Sequence, residues 1–214
     1  MKDNNISSKL LGANLNDINI EKFRDLSQLR KDKYDLSGRI SIPLLKTLTN
    51  KFSPEVIFTV TLPGQALANI DPLAECPNLM VLNLSKNNIE NLAPLRAMGR
   101  LRIADLSENC IASVEALGGC VELVNLNLEG NLLKALELLR PLKGCPALRN
   151  LHLQTLGGSS ENALCSANGY RAGVASELPQ LRRLDGTPAP TQPCRWPWRS
   201  SPTAASLKRA RRRS

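Results

Sequence analysis

Residues Leu79–Ile89 read L-M-V-L-N-L-S-K-N-N-I, and that stretch decides the fold. Leucines stand at its first, fourth and sixth positions (Leu79, Leu82, Leu84), an asparagine at the ninth (Asn87) and an aliphatic residue at the eleventh (Ile89). Twenty-two residues forward the same slots hold Leu101, Ala104, Leu106, Asn109 and Ile111, and 22 further on Leu123, Leu126, Leu128, Asn131 and Leu133. Twenty-two residues back they hold Ile57, Val60, Leu62, Gln65 and Leu67. A fifth copy, Leu148, Leu151 and Leu153, begins 25 residues after the fourth and has Leu156 in the asparagine slot. A unit of this length cannot bury its own apolar face, so copies in register predict coils stacked into a solenoid.

Within each coil the L-x-L segment predicts a short strand, because alternation turns the leucines inward and the residue between them outward. Stacked coils then form a parallel sheet on the concave face. Asn87, Asn109 and Asn131 are expected to form an inward ladder. Each amide serves backbone groups where the chain turns out of the strand and ladder bonding stops. The return half carries apolar residues at a spacing of three (Leu92, Leu95, Met98; Val114, Leu117, Cys120), which predicts 3-10-like turns or short helices on the convex face. The extra residues around Ala135–Leu142 are expected to lengthen that segment of the fourth coil into a fuller helix.

Both ends of such a stack need covers. From Ile42 to Phe52 the sequence I-P-L-L-K-T-L-T-N-K-F predicts a capping helix within 41–55, with Pro43 in its first turn and Leu44, Leu45 and Leu48 on one face. Ser53-Pro54-Glu55 is expected to break it. Five repeats occupy 56–160, with Gly157-Gly158-Ser159-Ser160 as a flexible break, and 161–186 close the stack. There Leu178, Leu181 and Leu184 cover the last coil, and Asp185-Gly186 supplies the final turn. Residues 1–40 are polar, with Leu11, Leu15, Ile18, Leu26 and Leu29 at roughly helical spacing. Two readings stand there: a poorly ordered extension, or an amphipathic helix that binds a partner. Residues 187–214 read as a disordered basic tail, since Pro188, Pro190, Pro193, Pro197 and Pro202 argue against packed continuation.

The segment 161–186 is similar to the C-terminal cap of the SDS22-like class of leucine-rich repeats, and the 22-residue coils are similar to the coils of that class. Asn162, Leu164, Cys165, Tyr170, Arg171, Leu178, Pro179, Leu181, Leu184, Asp185 and Gly186 carry the resemblance, while Ala163 stands where that cap has proline. The resemblance implies an α/β leucine-rich repeat solenoid, a curved right-handed coil. It also implies a broad range of roles, since relatives include a spliceosomal subunit, phosphatase regulators and ciliary dynein-associated proteins. Fold likeness does not choose among them.

Charge divides by region. The chain has 214 residues and net charge +9, but residues 41–186 carry 13 basic and 13 acidic side chains, whereas 187–214 carry 7 basic and none acidic. A neutral repeat body argues against direct nucleic-acid contact there and leaves the tail as the only candidate for it. In the tail, Lys208, Arg209, Arg211, Arg212 and Arg213 form a candidate nuclear import signal. No apolar run approaches the roughly 18 residues of a membrane span, and the N-terminus leads into no continuous apolar region, so a cytoplasmic protein without a secretory leader is expected. Of six cysteines, Cys76, Cys120 and Cys145 each precede the leading leucine by three residues, with Met98 in the matching slot. That periodic column reads as core packing. No C-x-x-C pair occurs and His152 is the only histidine, so no metal, disulfide or cofactor is expected.

No catalytic constellation is visible. His152 lies between two inward leucines, with no nucleophile or orienting carboxylate at a defined spacing. A non-enzymatic scaffold is the leading reading, monomeric by itself and binding one or more proteins on the concave face. Outward positions give two columns: Thr61, Asn83, Asp105, Asn127, His152, and Thr59, Val81, Ile103, Asn125, Asn150. Lys86 and Glu108 lie at the edge of the same face. Val81 and Ile103 are expected to face solvent, an apolar centre in a polar rim; the other reading is that loops or the N-terminal extension cover them. The competing function is a nuclear or ribonucleoprotein-associated factor acting through the tail.

Overall fold

The computed structural model describes residues 40–155 and 161–190. The N-terminal extension up to Arg39, the break at 157–160 and the candidate import signal lie outside the described residues. Helix α1 spans Ile42–Thr49. Ser41 caps it, its hydroxyl accepting from the Leu44 N–H at 3.3 Å, and it ends at Asn50 in the left-handed region (φ 54°). The helix thus stops three residues before the Ser53-Pro54-Glu55 break. Asparagine tolerates that conformation better than most residues, and its N–H returns to the Lys46 carbonyl. Leu45 is fully buried, while Leu44 and Leu48 pack half-buried against the core.

Five three-residue strands follow: β1 (Thr59–Thr61), β2 (Val81–Asn83), β3 (Ile103–Asp105), β4 (Asn125–Asn127) and β5 (Asn150–His152). They pair in parallel and in sequence order. The inward leucines Leu82, Leu126 and Leu151 and those of the flanking slots (Leu79, Leu84, Leu123, Leu128) are fully buried in one continuous core. With so few aromatic rings, the core consists of thin aliphatic layers. The convex half of each coil is a 3-10 turn: Asp71–Glu75, Ala93–Leu95, Glu115–Gly119 and Leu136–Gly144. The last of these is longer, as the extra residues require, but it is 3-10 rather than the fuller helix expected. Pro141 lies inside it, and in an α-helix its ring would clash with the carbonyl four residues back.

The cysteine column packs as a small-hydrophobe column. Cys76, Cys120 and Cys145 are fully buried beside Met98, and the Cys145 thiol donates to the Leu117 carbonyl at 3.1 Å. Burial pushes the Cys120 thiol up to about 12 and the Cys145 thiol to about 11.

At the C-terminal end, a 3-10 turn (Ala163–Ser166) and helix α2 (Tyr170–Glu177) precede β6 (Arg183–Leu184), which pairs in parallel with β5. Strand β7 (Thr187–Pro188) turns back antiparallel on β6. The folded chain therefore runs past Gly186, where the tail was expected to start, and Pro188 sits in an edge strand, a place where a missing N–H is tolerated. Asp185 and Gly186, both at positive φ (52° and 73°), form the two-residue turn between these strands.

Candidate protein-binding face

The strand registers assemble both columns as the spacing requires. Thr59, Val81, Ile103, Asn125 and Asn150 are paired neighbours along one line, and Thr61, Asn83, Asp105, Asn127 and His152 along the other. Exposure departs from expectation. Val81 and Ile103 do not face solvent: they are 4% and 2% exposed. Neither belongs to the leucine core, which lies on the opposite side of the strands. Asn83, Asp105, Asn125 and Asn127 are equally buried, whereas Thr59, Thr61, Asn150 and His152 at the rims are half-buried. The desolvated zone is thus confined to β2–β4.

The polar column is partly committed to its own backbone. Asn83 Oδ1 accepts from the N–H and hydroxyl of Ser85 at 3.0 and 2.9 Å. Asp105 Oδ1 does the same for Ser107 at 3.2 and 2.7 Å, and Asn127 Oδ1 accepts from the Glu129 N–H at 3.0 Å. These two-residue loops brace the turn that leaves each strand. The Nδ2 groups of Asn83 and Asn127 are buried and find no hydrogen-bond partner among the described residues. In the other column, Asn150 Nδ2 donates to Asn125 Oδ1.

Lys86 and Glu108 occupy the next corner in left-handed conformation (φ 59° and 54°). They are exposed and paired at 3.7 Å, a separation and exposure at which an ion pair contributes little.

One partner of His152 was not foreseen. Its Nδ1 lies 3.3 Å from Glu129 Oε1, and the Thr155 hydroxyl donates to Glu129 Oε2 at 3.1 Å. The expectation that no carboxylate orients this histidine is corrected by that contact, which joins residues 23 apart in sequence. The available signal was positional: Glu129 stands where the two preceding coils carry Ser85 and Ser107. The hydroxyl bonds the carboxylate rather than the imidazole, an arrangement that ties β5 to the preceding coil and does not build a nucleophile–base pair.

The asparagines hold the coils together. Asn109 Oδ1 accepts from the Ile89 N–H at 3.0 Å, while its Nδ2 donates to the carbonyls of Leu84, Leu106 and Ser107. Asn87 and Asn131 repeat the pattern one coil before and one after. Two further rungs come from the cap. Asn162 accepts from the Leu133 N–H at 3.0 Å and donates to the Leu128 and Leu153 carbonyls. Asp185 accepts from the Leu153 N–H at 2.9 Å and from the Tyr170 hydroxyl at 2.8 Å. Burial and the nearby Asp185 charge hold the Tyr170 phenol well above its ordinary range. Cys165, half-buried, points its thiol at the Leu153 carbonyl (3.6 Å). Leu181 and Leu184 of the cap are buried, and Arg171 ties helix α2 to the final hairpin through the Leu184 and Pro188 carbonyls.

Among the described residues no helix is long and apolar enough to cross a membrane. Residues 77–133 match the family described as "Leucine rich repeat". Leucine-rich repeat-containing protein 56 of Homo sapiens is 33% identical over 129 residues, covering 58% of this chain and 20% of that protein. Cilia- and flagella-associated protein 410 of Homo sapiens is 32% identical over 124 residues, covering 57% of this chain and 38% of that protein. The chain therefore spans well under half the length of the curated relatives it matches. A chain in the crystal structure of the Drosophila melanogaster SNF/U2A′ complex superposes with a TM-score of 0.53 at 28% identity, covering 61% of this chain and 73% of that one. With the parallel strands and 3-10 turns, these findings give the described residues the fold of a leucine-rich repeat solenoid.

Proposed function

We propose that this leucine-rich repeat solenoid is a non-enzymatic scaffold that docks a protein segment on its concave strand face, across β2, β3 and β4. One observation carries the reading: Val81 and Ile103 are apolar and adjacent on the outward side of the strands, apart from the core that holds the coils together. A solenoid needs apolar residues on the inward side of its strands. On the outward side, two adjacent aliphatic residues within a polar rim fit a binding patch. Leucine-rich repeats generally mediate protein–protein contacts, and the solved neighbour is itself part of a complex. The run from Ile42 through Gly186 also resembles leucine-rich repeat-containing protein 61. The resemblance rests on the Leu44-Leu45-Lys46 helix, Phe52-Ser53, Glu75-Cys76-Pro77-Asn78-Leu79 and the run Leu126–Asn131.

The test uses the full chain. Val81→Asp combined with Ile103→Asp is expected to abolish capture of specific binding proteins while leaving a cooperative thermal transition, because the leucine core is untouched. Loss of the transition itself would assign both residues to the fold and remove the patch.

A further inference from the structure

We infer that the C-terminal end of the solenoid binds the phosphate backbone of a nucleic acid through Arg149, Arg182 and Arg183. This site goes beyond the docking reading and uses neither Val81 nor Ile103. Residues 41–186 are neutral as a whole, but their charge is divided. Residues 41–139 hold 7 basic and 10 acidic side chains, whereas residues 140–186 hold 6 and 3. Two of those three acids are already engaged. Glu177 is shared by Lys143 at 2.7 Å and Arg140 at 3.8 Å, and Asp185 lies 3.6 Å from Arg171. Arg149, Arg182 and Arg183 have no ion pair among the described residues.

The sheet gathers the three arginines. The N–H groups of Arg182 and Arg183 both donate to the Arg149 carbonyl, at 2.8 and 3.0 Å, and Arg183 pairs with Asn150 across β5 and β6. Neighbouring strands lie about 4.8 Å apart, so all three side chains rise from one small area. Alternation with the buried Leu184 turns Arg183 outward, and both Arg182 and Arg183 are exposed. Arg149 is half-buried and held in place: its Nη1 donates to the carbonyls of Pro146, Leu148 and Gln180 at 2.7, 3.0 and 3.4 Å. The rest of its fork is left for a ligand. Arg102 shows the contrast. It holds the slot of Arg149 two coils earlier, and Glu122 of the next coil neutralises it at 2.8 Å. At the C-terminal end Gln180 stands where that glutamate would be, and its Nε2 donates instead to the Leu142 and Cys145 carbonyls. The amide in place of a carboxylate leaves Arg149 without a counter-charge.

The surroundings select the class of ligand. The exposed large hydrophobic residues among those described (Phe52, Val56, Phe58, Val121 and Leu132) all precede Arg140. The C-terminal end therefore has no apolar centre of the kind a protein interface is built around. A polar, strongly positive surface is the character of a nucleic-acid interface. Tyr170, the one aromatic residue between Arg140 and Pro190, is buried, so no ring is on offer for stacking on a base. Guanidinium forks match phosphate oxygens, and contacts of that kind position a strand without reading its sequence. The composition of the chain beyond has the same sign: residues 187–214 carry seven basic side chains and no acidic one. That excess suits a ligand charged along its whole length better than a short acidic peptide.

The experiment titrates a labelled single-stranded RNA of about 20 nucleotides with the full chain and follows anisotropy between about 50 and 200 mM salt. Arg182→Gln combined with Arg183→Gln is expected to weaken binding about tenfold near 0.1 M salt. It should also flatten the slope of log K against log salt by about 1.4, two lost phosphate contacts at about 0.7 each. Changing the RNA sequence should leave the affinity as it is. Arg96→Gln combined with Lys134→Gln removes the same charge from earlier coils, where both side chains are exposed, and should leave the slope unchanged. The side chains of Arg182 and Arg183 make no hydrogen bond or ion pair among the described residues, so the thermal transition should be kept. Arg183→Gln alone, with half the effect, carries the test if the pair disturbs the final hairpin. Four results would each overturn the site. They are a wild type that does not bind RNA, a slope unmoved by the test pair, an equal loss in the control pair, and a polyglutamate peptide bound more tightly than the RNA through the same arginines. The second would leave RNA to residues 187–214, and the last would name an acidic protein segment as the ligand.

Discussion

The amide of Asn109 serves one backbone N–H and three carbonyls from two successive coils, and it is 6% exposed. A short polar side chain with both a donor and an acceptor end is the only kind that can do this at a corner where strand pairing has ended. Its removal leaves those groups buried without replacement partners, and such groups are expensive. Asn109→Ala is therefore expected to lower unfolding stability by about 3 kcal/mol. Asn109→Asp, which keeps the acceptor and loses the donor, should not restore it. Urea denaturation measures both, and an alanine variant within about half a kcal/mol of wild type would show that water replaces the ladder. Three rungs were legible because the asparagine recurs every 22 residues. Asn162 and Asp185 were not legible as rungs, because the chain between Leu153 and Asn162 is longer than a coil allows and the cap replaces period with proximity. The Glu129–His152 contact was hidden for a related reason: the period gave each residue its slot but not the rotamers that bring neighbouring coils' side chains together.

Among the elements, successive convex turns approach one another closely at glycines. A β-carbon on Gly144 would run into the Gly118 carbonyl oxygen, and one on Gly119 into that of Arg96. Both obstacles are backbone, so no flexible side chain can give way. Gly144→Ala should destabilise the protein by about 1–3 kcal/mol, the usual cost of overpacking. Gly99, where nothing lies within 4 Å of the added carbon, is the control: Gly99→Ala should change the midpoint little. Equal melting temperatures for the two variants would mean that successive turns can slide apart. The strands tell a different story about legibility. Their register followed directly from the period, because residues 22 apart must pair when identical coils stack. Their exposure did not follow, because burial of an outward position depends on whatever lies over the face, and the repeat pattern does not encode that. The longer Leu136–Gly144 turn shows the same limit: the insertion set its length, but Pro141 decided that it is 3-10.

Across the whole molecule, partly or fully buried thiols in the convex turns and in the cap make stability depend on pH in a definite direction. Burial raises Cys120 from 9.0 to about 12 and Cys145 to about 11, while Cys165, within the cap, is raised to about 11 chiefly by burial. In the unfolded chain the same thiols lose their protons near pH 9.0, the ordinary value. Between about pH 9 and 11 the unfolded state thus binds fewer protons than the folded state, and stability must fall as pH rises. Well below pH 9 both states keep the thiols protonated and these groups contribute no slope. Each thiol contributes at most about 1.4 kcal/mol per pH unit in that window. The expected result under reducing conditions is a urea midpoint that changes little from pH 7 to 8 and drops steeply above 9. Tyrosine and lysine titrate in the same range, so the thiol share is isolated by difference: Cys120→Ala should start lower in stability and lose less of it between pH 8 and 10. Parallel curves for the variant and the wild type would show that the Cys120 thiol ionises as readily in the folded protein as in the unfolded chain.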